Sequence, residues 1–392
     1  MKVTYVEIFD THCPKRPAWN PIFVRIHTDE GISGVGEAGL AYDLGHSAAA
    51  HMVKEFAEEM LLGVDPFQTE LLWNRMLRES FWGLGGGPVI YAAMSAIDTA
   101  LWDIKGKALG VPCYQLLGGK VNEKLRTYAS QLQFDWDVYE RKTLAHPEEY
   151  AAATEKVVTE GYDSVKVDPM MFDEKGETIY DCTKPFRRDH LNLIRARLQA
   201  IRDVLGENGD IIFECHSLPS LTSALQLGEI AEEFKCLYFE EPVNYLNAKL
   251  HEPLKAKLKV PIAAGERLYL RHGVREYLEK QTIDVLQPDI GLCGGLTEAK
   301  KICDYADMYD VKIQAHVCGG PVATAVALHL ETAIPNFLIH EHHTYAIKDF
   351  NRELCLQDPQ PQNGFFEVSD TPGLGIELND DALKASPKII VK

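Results

Sequence analysis

Seven titratable residues close successive strand-like segments in the C-terminal part of the chain: Lys166, Glu214, Glu240, Glu266, Asp289, His316 and Glu341. From Glu214 onward the intervals are 26, 26, 23, 27 and 25 residues. Glu214, Glu240 and Glu266 would crowd negative charge into a small volume if brought together, which is costly unless a cation sits among them. They offer only oxygen ligands, so the ion should be hard, one magnesium per subunit with manganese as a substitute, and zinc is disfavoured. Taken singly, each glutamate reads equally well as a solvated loop acid or the partner of a barrel lysine; three at matching strand ends read as a cation site.

Asp289 and His316 end consecutive segments, and an aspartate bonded to an imidazole fixes its tautomer and raises its pKa, which makes a general base. The same pair would also serve as a satisfied structural histidine. His216, two residues after Glu214, points to that glutamate's side if strand geometry persists, an acid or base across the ion from His316; a surface loop histidine is the competing reading. Two histidines about one metal suit removal of a proton beside a carboxylate and departure of a hydroxyl. Lys166 places an ammonium at the same mouth, for a substrate carboxylate or an enolate, or else simply pairs with a neighbouring glutamate.

Other clusters carry less. In His340-Glu341-His342-His343, strand alternation turns Glu341 and His343 away from His340 and His342, so the run is not one site. Gly83-Leu84-Gly85-Gly86-Gly87 lacks the Gly-Lys-Ser/Thr end of a phosphate loop. Cys215 alternates away from its neighbours, and neither it nor Cys318 makes a case for a thiol nucleophile.

The elements that must position these groups are strands at Thr127-Ser130, Ser164-Val167, Asp210-Glu214, Leu237-Glu240, Pro261-Ala264, Ile283-Gln287, Val311-Ala315 and Asn336-Ile339, separated by amphipathic helices. Eight such units predict an α/β fold, a (β/α)8 barrel with its active site at the C-terminal mouth, with a doubly wound sheet as the alternative. Long connections at Leu132 to Glu149 and Pro169 to Asp189 follow early strands and so belong at that mouth; Trp136, Tyr139, Arg141, Arg187, Arg188 and His190 are their candidate contacts. Before the barrel, a strand at Met1-Ile8, a hairpin from Ile22 to Ala38 turning at Asp29-Glu30-Gly31, and a helix from Val89 to Leu109 stopped by Gly110 predict an α+β capping domain. The expected organisation is a capping domain at 1–125, a barrel domain at 126–345 and a C-terminal segment at 346–392 returning to the cap.

The chain has 392 residues, 46% of them hydrophobic, enough for a large core and more than one domain. Asp and Glu outnumber Lys and Arg by 58 to 40, a net charge of -18 that repels nucleic acid and anionic lipid. Nine scattered cysteines without a Cys-x-x-Cys pair read as reduced thiols, and the N-terminus alternates instead of running apolar, so a cytoplasmic protein is expected.

The chain resembles the mandelate racemase subgroup of the enolase superfamily, and within it the acid-sugar dehydratases of galactonate and gluconate type. The resemblance lies in Ala96-Ile97-Asp98-Thr99-Ala100-Leu101-Trp102-Asp103-Ile104-Lys105-Gly106-Lys107, Phe239-Glu240-Glu241-Pro242, Ala264-Gly265-Glu266-Arg267, Leu286-Gln287-Pro288-Asp289, Gly294-Gly295-Leu296-Thr297-Glu298 and Pro372-Gly373-Leu374-Gly375. It implies magnesium on Glu214, Glu240 and Glu266, a base in the Asp289-His316 dyad, an acid in His216, and Glu341 hydrogen-bonded to the substrate carboxylate as an enediolate forms. It also implies a cap over the mouth, with a loop around Cys13 to Asn20, and substrate contacts from Lys166, Asp168, Glu341, Arg267 and Trp19. The partner would be a small acid sugar and the assembly a homo-oligomer. Two positions depart from the pattern: Asp168 stands where the racemases carry the second lysine of Lys-x-Lys, and Glu214 stands where aspartate is common. The implied reaction is dehydration of an aldonate to a 2-keto-3-deoxy acid; an epimerase or cycloisomerase, or a member that binds acid sugars without turnover, are the alternatives.

Overall fold

The computed structural model describes residues 1–13, 19–139 and 141–392. The alternating N-terminus forms β1 (Val3–Asp10), which pairs antiparallel with β2 (Ile22–Thr28), and β2 with β3 (Ser33–Ala38). Against this sheet pack α1 (His46–Phe56), α2 (Thr69–Arg78) and α3 (Gly87–Leu109), the last beginning two residues before its expected start and ending where Gly110 turns left-handed at φ 69°. The small residues of α3 let it lie almost on the sheet: a Cβ at Gly36 of β3 would overlap the Ala96 carbonyl.

After the short α4 (Cys113–Leu116), parallel strands and helices alternate: β4 (Leu125–Ser130), α5 (Pro147–Thr159), β5 (Ser164–Val167), α6 (Arg188–Leu205), β6 (Asp210–Glu214), α7 (Leu221–Glu233), β7 (Tyr238–Glu240), α8 (His251–Lys257), β8 (Ile262–Ala264), α9 (Leu270–Glu279), β9 (Val285–Leu286), α10 (Gly295–Asp307), β10 (Lys312–Ile313), α11 (Pro321–Ala333) and β11 (His340–His343). From β4 to β10 each strand pairs with the next, and β11 pairs with β4, which excludes the open doubly wound sheet. The expected last strand at Asn336-Ile339 needs correction. Its ladder with β4 runs over His340–His343, and the preceding residues reach β10 through one bridge, Ile313 to Phe337. Strand tilt explains this, because a closing strand meets one neighbour early and the other late along its length.

Two to four residues before the strand-end positions, Tyr128, Ile212, Tyr238, Ala263, Val285 and Ile339 form their own apolar cluster. Side chains repeat every second residue on a strand face, so this cluster is the barrel interior and the floor beneath the site.

The buried aspartates of α3 are joints. Asp98 accepts hydrogen bonds from the backbone N–H and hydroxyl of Thr297 at the start of α10, at 2.8 and 2.6 Å. Asp103 accepts from the backbone N–H of Val35 and of Leu374, tying the cap sheet to the Pro372-Gly373-Leu374-Gly375 turn. The C-terminal segment first adds β12 (Phe365–Phe366) against β4, then returns to the cap, where β13 (Lys388–Val391) pairs antiparallel with β1. Among the described residues no helix is long and apolar enough to cross a membrane.

Candidate active site

Glu214 and Glu240 end adjacent strands in register, and Glu266 follows β8 after Gly265, whose φ of 155° and contact with the Gln287 backbone leave no room for a Cβ. All three glutamates are buried, and each offers an oxygen within 4.8 Å of the other two. Glu214 accepts from the Gln131 amide at 2.7 Å, and Glu240 Oε1 accepts from Lys166 Nζ at 2.7 Å. Glu240 Oε2 is buried without a hydrogen-bond partner, and burial pushes this carboxyl up to about 8. An all-oxygen set with an unsatisfied carboxylate oxygen fits a hard divalent cation.

Two imidazoles flank the cluster, and each is held by its own aspartate. His316 Nδ1 lies 2.7 Å from Asp289 Oδ2, with Nε2 3.7 Å from Glu266; His216 Nδ1 lies 2.8 Å from Asp168 Oδ2, with Nε2 3.2 Å from Glu214. A carboxylate can only accept, so both rings present Nε2 toward the glutamates. Burial opposes charge on either ring, but Glu214 and Asp168 for His216, and Glu266 and Asp289 for His316, outweigh it and raise both to about 10. His216 itself sits at φ 49°, a left-handed turn directly after β6 that swings its ring toward Asp168 on the neighbouring strand's end.

Both rings open on one cavity of about 330 Å³. The cap contributes Tyr42 and Asp43 to its wall, and the two long connections contribute Phe134, Arg141 and Met171, as their placement after early strands predicts. Of the other residues proposed on those connections, Trp136 is buried with its indole N–H on Glu160, Tyr139 is exposed, and Arg187 is exposed and paired with Asp189.

The structure places several expected contacts differently. Lys166 is fully buried beneath the cavity with Nζ at 2.7 Å from Glu240 and 2.8 Å from Glu341, the pairing with glutamates that its sequence context allowed. Glu341 accepts from the Ser130 hydroxyl at 2.6 Å and the Val317 N–H at 2.9 Å, and although burial opposes ionisation, Lys166 and His316 hold it below the usual carboxylate range. Arg267 reaches the cavity wall but is clamped by Glu241 and Glu266. Trp19 is buried one layer back, its indole N–H on Asn351 and its ring 4.1 Å from that of Tyr345. Residues 14–18 of the expected capping loop lie outside the described residues. Gln131 and Tyr42 had no signal of spacing or charge, because Gln131 reaches the site through a left-handed turn after β4 and Tyr42 comes from the cap; Ser130 and His343 stand at the ends of β4 and β11 but were not singled out.

Residues 149–382 match the family model described as enolase C-terminal domain-like, and residues 16–118 match that of the mandelate racemase / muconate lactonizing enzyme N-terminal domain. A D-xylonate dehydratase of Haloferax volcanii is 32% identical over 366 residues, spanning 93% of this chain and 84% of that protein. A D-galactonate dehydratase of Pectobacterium atrosepticum is 33% identical over 373 residues, spanning 93% and 90%. The crystal structure of a member of the enolase superfamily from Salmonella Typhimurium superposes with a TM-score of 0.96 at 49% identity and covers 100% of both chains. With both halves matched, the chain belongs to the mandelate racemase / muconate lactonizing enzyme family of the enolase superfamily.

Proposed function

We propose that the protein dehydrates an aldonate-type acid sugar to a 2-keto-3-deoxy acid. The observation that carries this reading is the pair of aspartate-held imidazoles opening on one cavity on either side of the glutamate cluster. One abstraction and one protonation are needed, and one oriented imidazole is available for each. The relatives named as D-xylonate and D-galactonate dehydratases support the substrate class.

His316, its Nδ1 proton held by Asp289, uses the Nε2 lone pair to remove the proton from C2. His216, charged and held by Asp168, donates its Nε2 proton to the departing C3 hydroxyl, which leaves as water. The enol so formed tautomerises to the 2-keto acid. A magnesium ion held by Glu214, Glu240 and Glu266 would stabilise the charge of the enediolate and offset the carboxylates that keep both imidazoles protonated. Lys166 and the Ser130 hydroxyl hold Glu341 in place near the start of β11, beside the reacting centre.

The test is a screen of mono- and diacid sugars with magnesium, scored for 2-keto-3-deoxy product and repeated after chelation. A chelation-sensitive product supports the reading. Two imidazoles at one cavity also suit two-base chemistry at C2, so solvent isotope exchange at C2 without loss of water would replace dehydration by epimerisation. Binding without either outcome would leave a non-catalytic member.

A further inference from the structure

His343 lies on β11 two residues beyond Glu341 and on the same face, about 7 Å further outward along the strand. It is buried and lines the cavity together with His316, Cys318 and Tyr345. Its protonation is decided by geometry. The backbone N–H of Tyr345 donates to His343 Nδ1 at 3.1 Å, and an amide can only donate, so Nδ1 must carry the lone pair. The ring proton therefore sits on Nε2, which faces Cys318 Sγ at 3.4 Å.

A thiol sulfur is a weak acceptor, so this buried N–H donor is poorly used and an oxygen entering the cavity would take it in preference. Burial also keeps the ring neutral, with its pKa down near 3. The neighbouring thiol is neutral too, raised well above its ordinary value by burial. The ring is backed rather than free to turn. Tyr345 packs against it at 5.1 Å between centroids, and Trp19 stacks at 6.5 Å with an interplanar angle of 7°, itself anchored through Asn351.

We propose that His343 reads the substrate's carbon chain beyond the reacting carbons, donating one hydrogen bond from Nε2 to a hydroxyl oxygen. The ligand class is a polyhydroxylated acid with at least one hydroxyl past C3, and a short hydroxy acid gains nothing from this residue. The assignment rests on the acid-sugar reading of the same cavity, which it deepens. It also gives Trp19 a role as a positioning residue behind His343.

Isothermal titration with magnesium present, using D-galactonate, D-xylonate and D-glycerate as probes, tests the assignment. Wild-type protein should bind the two longer acids, H343L should weaken them about tenfold, and H343Q, whose amide can still donate, should recover most of the loss. D-glycerate binding should be the same in all three proteins. Equal affinity of wild type and H343L for the longer acids, an equal loss with D-glycerate, or no binding of the longer acids by wild type would each overturn the assignment. Imidazole 15N shifts of the folded wild-type protein give a second readout: a proton on Nδ1 of His343 would also overturn it. Binding that depends on His343 without any dehydration would instead remove the dehydratase reading and leave this one standing.

Discussion

His216 Nδ1 lies 2.8 Å from Asp168 Oδ2, so the residue found where related racemases carry a second lysine is the orienting partner of a histidine in the turn after the next strand. Asp168 is fully buried while the His216 ring keeps one side open to the cavity, and the pair repeats the hydrogen bond of Asp289 and His316. Replacing Asp168 by Asn keeps the shape but removes the charge that stabilises the imidazolium. D168N should lower kcat on the substrate returned by the screen about 100-fold while magnesium affinity stays within about twofold. Steady-state kinetics beside calorimetric metal titration checks this; unchanged kcat would remove His216 from the acid role.

H316N separates the base from the metal platform. Asn cannot take a proton from C2, so turnover should fall at least about 1,000-fold, whereas Glu214, Glu240 and Glu266 remain in place. Manganese binding followed by electron paramagnetic resonance should be retained. Substantial residual turnover would take His316 out of the base role.

The glutamates should behave as a unit toward a divalent ion. E240Q removes the charge of the carboxyl with the unpartnered buried oxygen and should weaken manganese or magnesium binding about 100-fold. Binding in the wild type should also fall as pH falls, because protons compete for the same oxygens. Affinity unaffected by E240Q would place the ion elsewhere.

The joint between cap and barrel is testable without substrate. Asp98 is fully buried and holds both donors of Thr297 across the two domains. D98A leaves those donors without partners and should cost about 2–3 kcal/mol in urea unfolding. A change below about 0.5 kcal/mol would mean that water or another acceptor replaces the carboxylate.

Glu149 gives a pH signature. It accepts from the backbone N–H groups of Ala145 and His146 before α5 and pairs with Lys142. Burial alone would raise its pKa, but the His146 N–H, Lys142 and the Ala145 N–H outweigh it and lower the group to about 2 from an ordinary 4.5. A depressed carboxyl stabilises the fold above its unfolded pKa, and this contribution fades as pH falls from about 4.5 toward 2. E149Q should therefore be less stable than wild type at pH 7, and the gap should narrow in urea titrations at pH 3. A gap that stays constant would assign the effect to packing.

The barrel strands and the chemistry at their ends were legible in the sequence because period and chemistry coincide there. A buried parallel strand is a short apolar run, and the residue that follows it must face the mouth, so Glu214, Glu240, Glu266, Asp289 and His316 announced themselves by type and interval. The last strand was placed four residues early, since Phe337-Ile339 and His340–His343 run on as one apolar and polar stretch and only the stagger of a closed barrel says which part pairs with β4. The α3 motif was visible, but its purpose was not: Asp98 and Asp103 find their partners 199 and 271 residues away.

Residue types and intervals along the chain establish the set of acids and histidines and the order in which a barrel would present them. Their pairing came from the folded arrangement. Asp168 became the partner of His216, Lys166 sank beneath the cavity between Glu240 and Glu341, and Trp19 lay behind the cavity wall. Periodicity specifies which face of a strand a side chain occupies, whereas hydrogen-bond partners across strands depend on turns such as the left-handed His216 and on angstrom-scale distances that no interval along the chain encodes.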